Sequence, residues 1–205
     1  MAGNTTTLGI KDEIAALKRE RTIAAAVELF YEHGYENTTL EAVAEKLGVT
    51  KPFIYAHFGS KAELLAEICG RGISSSLKAI DNALALRASP TKRLKVLAET
   101  FVTSVLENQK HIAIFAREEK NLAKADFARI SEMRRTFDKK LLHLLNTGLE
   151  SGEFEMQDPP LAALAIGGMV SWAYVWYRPK GRMTVAELAD KLSDLILATV
   201  GAKSG

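Results

Sequence analysis

The stretch LEAVAEKLGVTKPFIYAHF, residues 40–58, is the most informative part of the sequence, because it holds two helical patterns separated by a three-residue break. Within residues 40–47, apolar side chains recur at i, i+3, i+4 and i+7, which is typical of one buried helix face. Gly48 can end that helix in the left-handed conformation. Thr50 and Pro52 are typical of the first turn of a new helix. A helix, a short turn with glycine and a second helix have the spacing of a helix-turn-helix unit.

The second helix of this unit carries apolar and polar side chains with different expected roles. We expect Val49, Ile54 and Phe58 to pack inward against the preceding helices. In helix-turn-helix proteins the second helix lies in the major groove, and flanking groups hold phosphates. Lys61 would add its charge to the dipole at the start of the next helix. The predicted contacts are Lys51, Pro52 and Phe53 to base edges, and Tyr55, His57 and Lys61 to phosphate oxygens.

The rest of the chain also shows the helical period, and alternating β-branched runs are missing. Predicted capping boxes pair Thr38 with Glu41, Ser60 with Glu63, and Thr184 with Glu187; Thr39 is an alternative cap to Thr38. We predict an all-α protein of about nine helices: a three-helix unit over residues 11–66, which contains the helix-turn-helix, and a larger helical body over residues 67–203. Expected helices span or centre on residues 11–33, 38–47, 51–58, 60–85, 94–105, 111–119, 127–150, 161–177 and 185–200.

Composition places the chain among soluble globular proteins, with 47% hydrophobic and 25% charged residues. Cys69 is the single cysteine, which excludes an internal disulfide and suits a reducing compartment. The N-terminal sequence lacks the basic and apolar regions of a secretory signal. The most apolar segment, residues 161–177, is shorter than the roughly 20 residues of a membrane helix. We therefore predict a cytoplasmic protein without a membrane segment.

Charge is distributed unevenly along the chain. Residues 1–70 hold 7 Lys and Arg against 10 Asp and Glu, whereas residues 71–205 hold 20 against 15. An acidic segment that binds DNA must do so through a local basic face, because its net field repels phosphates.

Residues 22–65 resemble the N-terminal domain of the tetracycline-repressor family of bacterial transcription regulators. The resemblance implies a homodimer whose two recognition helices enter successive major grooves of a near-palindromic operator. It also implies an effector-binding C-terminal body and phosphate contacts from Thr39, Thr50, Tyr55, His57 and Lys61. The matching residues are Ala26, Leu29, Phe30, Gly34, Tyr35, Thr39, Ala44, Gly48, Val49, Thr50, Tyr55, Phe58, Lys61 and Leu64.

The sequence departs from the family pattern at the start of the recognition helix. Lys51 and Pro52 stand where many relatives carry a small residue, and Phe53 is bulkier than the usual Thr or Ala. A phenylalanine there can contact a thymine methyl group. The operator sequence therefore does not follow from that of relatives.

The C-terminal half carries the expected dimer surface and effector site. Residues 161–177 are apolar on nearly all sides, so we expect them to be buried. With the final helix, residues 185–200, they would form a four-helix bundle with a second copy. The motifs at residues 150–154 and 167–182 resemble a subgroup whose effectors include acyl-coenzyme A thioesters. The predicted ligand-binding residues are Phe101, Val105, Phe115, Arg117, Phe137, Met169, Trp172, Trp176 and Arg178.

Three alternative functions stay open at this point. One is a drug-responsive repressor of an efflux system, whose pocket would be aromatic and less basic. Another is a DNA-binding protein that responds to a protein partner. An all-α enzyme is disfavoured, because the chain lacks the HExxH, CxxC, GxSxG and phosphate-loop patterns and its four histidines are scattered. We predict no catalytic site, no metal site and no cofactor besides the effector.

Overall fold

The computed structural model describes residues 9–202, apart from the side chain of Lys11. This part of the chain contains ten α-helical segments, a 3-10 turn and no strand, which confirms the all-α prediction. Two of these segments are separated by the single residue Trp172, so ten segments agree with the prediction of about nine helices. The helices are α1 Ile10–His33, α2 Leu40–Leu47, α3 Lys51–Tyr55, α4 Lys61–Ala85, α5 Pro90–Glu107, α6 Gln109–Glu118, α7 Lys124–Glu150, α8 Pro159–Ser171, α9 Ala173–Trp176 and α10 Val185–Thr199.

The chain divides into two units, Met1–Ile68 and Cys69–Gly205. Helix α4 runs through the division and contributes its first two turns to the first unit. The predicted boundary between residues 66 and 67 lies two residues earlier, and the predicted end at residue 203 lies outside the described residues.

The first unit is built around the apolar stripes that the sequence predicted. Phe30, Val43 and Ile54 are fully buried, and Phe58 is 1% exposed. Val49 is half-buried. Burying side chains of this size contributes roughly 1.5–3 kcal/mol each, so these contacts hold the short α3 against its neighbours.

Helix α3 is shorter than predicted, because it ends at Tyr55 and not near Phe58. The amide of Phe58 still donates to the carbonyl of Ile54 at 2.9 Å, so the chain turns tightly after the helix. Gly48 has a φ of 66°, the left-handed conformation expected at the end of α2.

The capping box predicted between Thr38 and Glu41 is wrong. Thr39 caps α2, and its hydroxyl accepts a bond from the amide of Ala42 at 3.1 Å. Thr38 is buried instead, and its hydroxyl donates to the carbonyls of Gly34 at 2.9 Å and Leu29 at 3.3 Å. Thr38 is unable to face the start of α2 because the loop backbone holds its hydroxyl.

The other predicted helix caps agree with the observed hydrogen bonds to different degrees. The hydroxyl of Ser60 accepts from the amide of Glu63 at 3.1 Å, but the Glu63 carboxylate accepts from Gly59 and completes no box. Thr50 occupies the N-cap of α3, although its side chain makes no capping bond to the described residues of that helix. Thr184 and Glu187 form the complete box predicted at α10.

The second unit has a core formed mainly by α5, α7, α8 and α10. Helix α10 packs extensively along α5. Phe101 and Phe137 meet at the centre with ring centroids 4.6 Å apart. Gly148 is required in α7, because a Cβ atom there would lie 1.9 Å from the ring of Phe154.

The prediction of a single continuous helix over residues 161–177 is wrong. The helix breaks at Trp172, where α8 ends and the short α9 begins. One face packs on the core, but the opposite face is exposed, with Leu161 at 61%, Leu164 at 68% and Trp172 at 61%. Among residues 9–202, therefore, no element covers this face.

By length and composition alone, Pro159–Trp176 is apolar enough to cross a membrane. A single such helix is weak evidence for a membrane span, because interface and core helices pass the same test.

The end of α9 is held by the side chain of Gln109. Its amide nitrogen donates to the carbonyls of Tyr174 at 2.6 Å and Tyr177 at 3.2 Å, which would otherwise lack helical partners.

Candidate functional site

Three of the predicted phosphate contacts line one open depression of about 310 Å³ in the first unit. Thr39 starts α2, Tyr55 ends α3 and Lys61 starts α4, so three helix ends converge there. Tyr55 is 45% exposed and can present its hydroxyl to a ligand. The other lining residues are Thr38, Leu40, Glu41, Gly59 and Ser60.

Lys51, the predicted base-contacting cation, forms an ion pair with Glu41. The Lys51 side chain lowers the pKa of the Glu41 carboxyl, and Glu41 raises the pKa of Lys51. The Lys51 ammonium also lies 5.6 Å from the ring centroid of Tyr55. In the free protein, therefore, the first positive charge of α3 is already balanced.

Phe53 and His57 lie nearer to α1 than the sequence suggested. Both are half-buried, and their rings meet edge to face with centroids 5.1 Å apart. The ammonium of Lys18 lies 5.4 Å from the ring centroid of Phe53. Thr50 and Pro52, by contrast, are exposed at the start of α3.

Arg19 is a residue of this unit that sequence reasoning missed. Its guanidinium donates to the carbonyl of His57 at 2.9 Å, pairs with Glu67 at 3.1 Å and lies 4.3 Å from the ring centroid of Phe58. Arg19 therefore connects α1 to the end of α3 and the start of α4. Its partners lie 38 or more residues away in the chain, and a charged residue on a helix gives no local signal of such contacts.

Lys61 directs its ammonium into the protein. The Nζ atom donates to the carbonyls of Tyr35 at 2.9 Å, Thr38 at 3.0 Å and Glu36 at 3.4 Å. It also lies 4.2 Å from the ring centroid of Tyr35. Lys61 therefore lines the depression, but its ammonium group binds the carbonyls of the loop before α2.

The second unit contains a cavity of about 280 Å³. Three predicted ligand-binding residues line it: Phe101, Val105 and Phe137. An added Cβ atom at Gly167 or Gly168 would meet nothing within 4 Å, so these glycines leave open space in the cavity wall. The remaining lining residues are Gly72, Ile73, Ser76, Ile112, Arg134, Asp138, Ala163, Leu164 and Ser171.

The other predicted ligand-binding residues do not line this cavity. Phe115 is buried beneath the guanidinium of Arg134, whose central carbon lies 4.2 Å from the ring centroid. Met169 packs against the core, and Arg117 is exposed.

The remaining three predicted ligand-binding residues, Trp172, Trp176 and Arg178, do not line the cavity because the helix breaks at Trp172. Trp172 and Trp176 are exposed, at 61% and 44%. Arg178 is exposed and donates to the carbonyls of Val175 at 2.9 Å and Tyr177 at 3.1 Å. The prediction that the two tryptophans share a face toward a ligand assumed a continuous helix.

Arg134 and Asp138 are the charged residues of the cavity wall, one turn apart on α7. Burial raises the pKa of the Asp138 carboxyl, and the charge of Arg134 partly opposes this. Both residues are exposed, so their charged groups are accessible to solvent as well as part of the cavity wall. The sequence pattern does not indicate Asp138 as a site residue, because a carboxylate next to Lys139 resembles a solvated helix face.

The described residues contain no group of three His, Cys, Asp or Glu side chains placed to hold a metal ion. Cys69 is buried, and burial is the main cause that raises the pKa of its thiol to about 12. A thiol that stays protonated at neutral pH is a poor nucleophile, so this cysteine is a packing residue.

Two family models match the chain. Residues 23–68 match "Bacterial regulatory proteins, tetR family", and residues 87–200 match "Tetracyclin repressor-like, C-terminal domain". The first covers the helix-turn-helix and the start of α4, and the second covers most of the unit that contains the cavity.

Known proteins resemble the chain over nearly its whole length. The HTH-type transcriptional repressor KstR2 of Rhodococcus jostii is 28% identical over 187 residues, which cover 88% of this chain and 89% of the relative. The TetR family regulator PfmR of Thermus thermophilus is 32% identical, with a TM-score of 0.79 over 87% of this chain and 97% of that structure.

A second structure, AibR in complex with isovaleryl coenzyme A and operator DNA, shares the fold. Its TM-score is 0.74 at 23% identity, over 91% of this chain and all of that one. From the two family models, the helix-turn-helix geometry and these relatives, the chain belongs to the tetracycline-repressor family of bacterial transcription regulators and is a DNA-binding regulator.

Proposed function

We propose that the protein is a cytoplasmic repressor that binds a near-palindromic operator as a homodimer and is released by an acyl-coenzyme A thioester. The observation that carries the effector class is the cavity of the second unit. Its wall is largely apolar, and Arg134, the one cation among its described lining residues, is exposed to solvent. An apolar cavity suits an acyl group, and a guanidinium suits the phosphates of coenzyme A.

AibR gives independent support, because its structure contains both isovaleryl coenzyme A and operator DNA. The cavity of about 280 Å³ is small for a ligand site, so we expect a short or compact acyl group and not a long chain. The nucleotide part would lie outside the cavity.

The exposed face of α8 and α10 supports the homodimer. Leu161 and Leu164 on α8 and Leu195 on α10 are more than half exposed. Large apolar side chains in one region mark an interaction surface, and a symmetric second copy covers it with the same face. Two recognition helices in one dimer then account for a two-fold operator.

Effector action requires that the ligand bind one state of the dimer more tightly than the other. Gly72, Ile73 and Ser76 of α4 line the cavity, and the first turns of α4 belong to the DNA-binding unit. This helix is therefore the covalent connection through which occupancy can change the spacing of the recognition helices. A ligand with equal affinity for both spacings would release nothing.

A titration of a protein–operator complex tests the effector class. The purified protein is bound to its own upstream DNA, and isovaleryl-coenzyme A, longer acyl-coenzyme A esters, coenzyme A and the free acids are added separately. We expect release by a short acyl ester and not by its free acid or by coenzyme A alone. Release only by free acids or lipophilic drugs would contradict the proposal and favour a drug-responsive repressor.

A further inference from the structure

Lys61 uses all of its hydrogen-bonding capacity inside the first unit. An ammonium group carries three protons and has no acceptor. In the structure, Nζ lies within 3.4 Å of the carbonyl oxygens of Tyr35, Glu36 and Thr38. A direct bond to a DNA phosphate would have to replace one of these.

The three carbonyls belong to the loop that joins α1 to α2. Other contacts hold the same loop, since the hydroxyl of Thr38 bonds to the carbonyl of Gly34 and the Tyr35 ring packs edge to face on Phe30. The ammonium lies 4.2 Å from the Tyr35 ring centroid, which adds a cation–π contact. Lys61 thus joins the first residue of α4 to a loop 23–26 residues earlier in the sequence.

The position of this loop sets the start of α2. Thr38, whose carbonyl Lys61 holds, directly precedes the cap residue Thr39. Thr39 lines the depression with Tyr55. A shift of the Thr38 carbonyl would therefore move one side of the predicted phosphate site relative to the other.

We propose that Lys61 is a positioning residue, which fixes the α1–α2 loop and the start of α2 through three carbonyls and does not neutralise an operator phosphate. This inference rests on the DNA-binding function and replaces the role that sequence reasoning gave to Lys61. The two roles differ in the salt dependence of binding. Loss of a phosphate cation lowers that dependence, whereas loss of a positioning group lowers affinity at an unchanged salt dependence.

The test measures operator affinity across a series of salt concentrations for Lys61→Met, Lys61→Arg and the matched control Lys46→Met. Lys46 is an exposed lysine on α2. We expect Lys61→Met to lose about tenfold or more in affinity, with the slope of log K against log salt equal to that of Lys46→Met. Lys61→Arg should lose affinity as well, because a planar guanidinium is unable to place three donors on the same carbonyls.

The opposite result would overturn the proposal: a slope lowered by about 0.9 in Lys61→Met relative to Lys46→Met, with wild-type affinity in Lys61→Arg. Amide hydrogen exchange in the DNA-free protein gives a second readout. We expect faster exchange at Thr38 and Ala42 in both Lys61 variants, and unchanged exchange would contradict the role. This readout needs no operator, so it separates failure of the Lys61 role from failure of DNA binding. If Lys61→Met does not fold, the salt series and the amide hydrogen exchange of Lys61→Arg test the proposal.

Discussion

Glu41 of α2 and Lys51 of α3 form an ion pair across the turn of the helix-turn-helix. About half of each side chain is exposed, so the pair is accessible to both solvent and DNA. Each partner shifts the pKa of the other toward the charged form, and both stay ionised at neutral pH. Because the folded pKa of Glu41 is lowered, the pair is intact above the ordinary glutamate value of 4.5 and is lost only as the pH falls through the lowered value.

We expect Glu41→Gln to strengthen binding to unrelated DNA by several-fold at low salt. The substitution leaves Lys51 positively charged and without its carboxylate partner, so one more cation is available to phosphates. The slope of log K against log salt should rise by up to about 0.9. Electrophoretic mobility shifts on operator and unrelated duplexes measure both quantities. Glu45→Gln, an exposed position on α2, removes the same charge and serves as the control; equal effects of the two substitutions would refute a specific role for the pair.

Arg134→Gln should leave operator affinity unchanged and weaken release by an acyl-coenzyme A ester by about tenfold or more, because a charge-assisted phosphate contact is lost. Arg135→Gln is the matched control, since Arg135 is exposed and pairs with Glu132 at 2.8 Å. Isothermal titration of each variant with isovaleryl-coenzyme A gives the affinities directly. Equal affinities for the two variants would exclude Arg134 from the effector site.

Leu195→Glu should convert the dimer into a monomer, because it places a charge on the apolar face that a second copy would bury. Sedimentation velocity measures the mass, and circular dichroism checks that the helices remain. Leu86→Glu, at a large apolar residue exposed after α4, should leave the dimer intact. A wild-type protein that sediments as a monomer at micromolar concentration would contradict the dimer itself.

The first unit could be predicted well because its signals are local. The apolar period of α2, the left-handed glycine at position 48 and the inward residues Ile54 and Phe58 all follow from neighbours within one or two helical turns. The caps were less certain, because Thr38 and Thr39 are adjacent and only the loop backbone decides which hydroxyl faces α2.

The roles that depend on distant contacts could not be predicted in this way. Lys61 finds its carbonyls 23 or more residues away, and Arg19 finds His57 at a distance of 38 residues. In the second unit, the cavity combines residues from four or more helices, so no single stretch identifies Arg134 or Asp138 as members. Trp172 does not line this cavity, and an apolar period does not reveal that the helix breaks there.

The most direct test of the central claim is the binding of a fluorescein-labelled upstream duplex, measured by fluorescence anisotropy for the wild type, Tyr55→Ala and Tyr31→Ala. Tyr55 lies at the end of α3 and lines the depression, whereas Tyr31 lies on α1. We expect selective binding by the wild type and by Tyr31→Ala, and about tenfold weaker binding by Tyr55→Ala on specific and unrelated DNA alike. Wild-type affinity in Tyr55→Ala, or no selective binding of any upstream fragment by the wild type, would contradict this expectation.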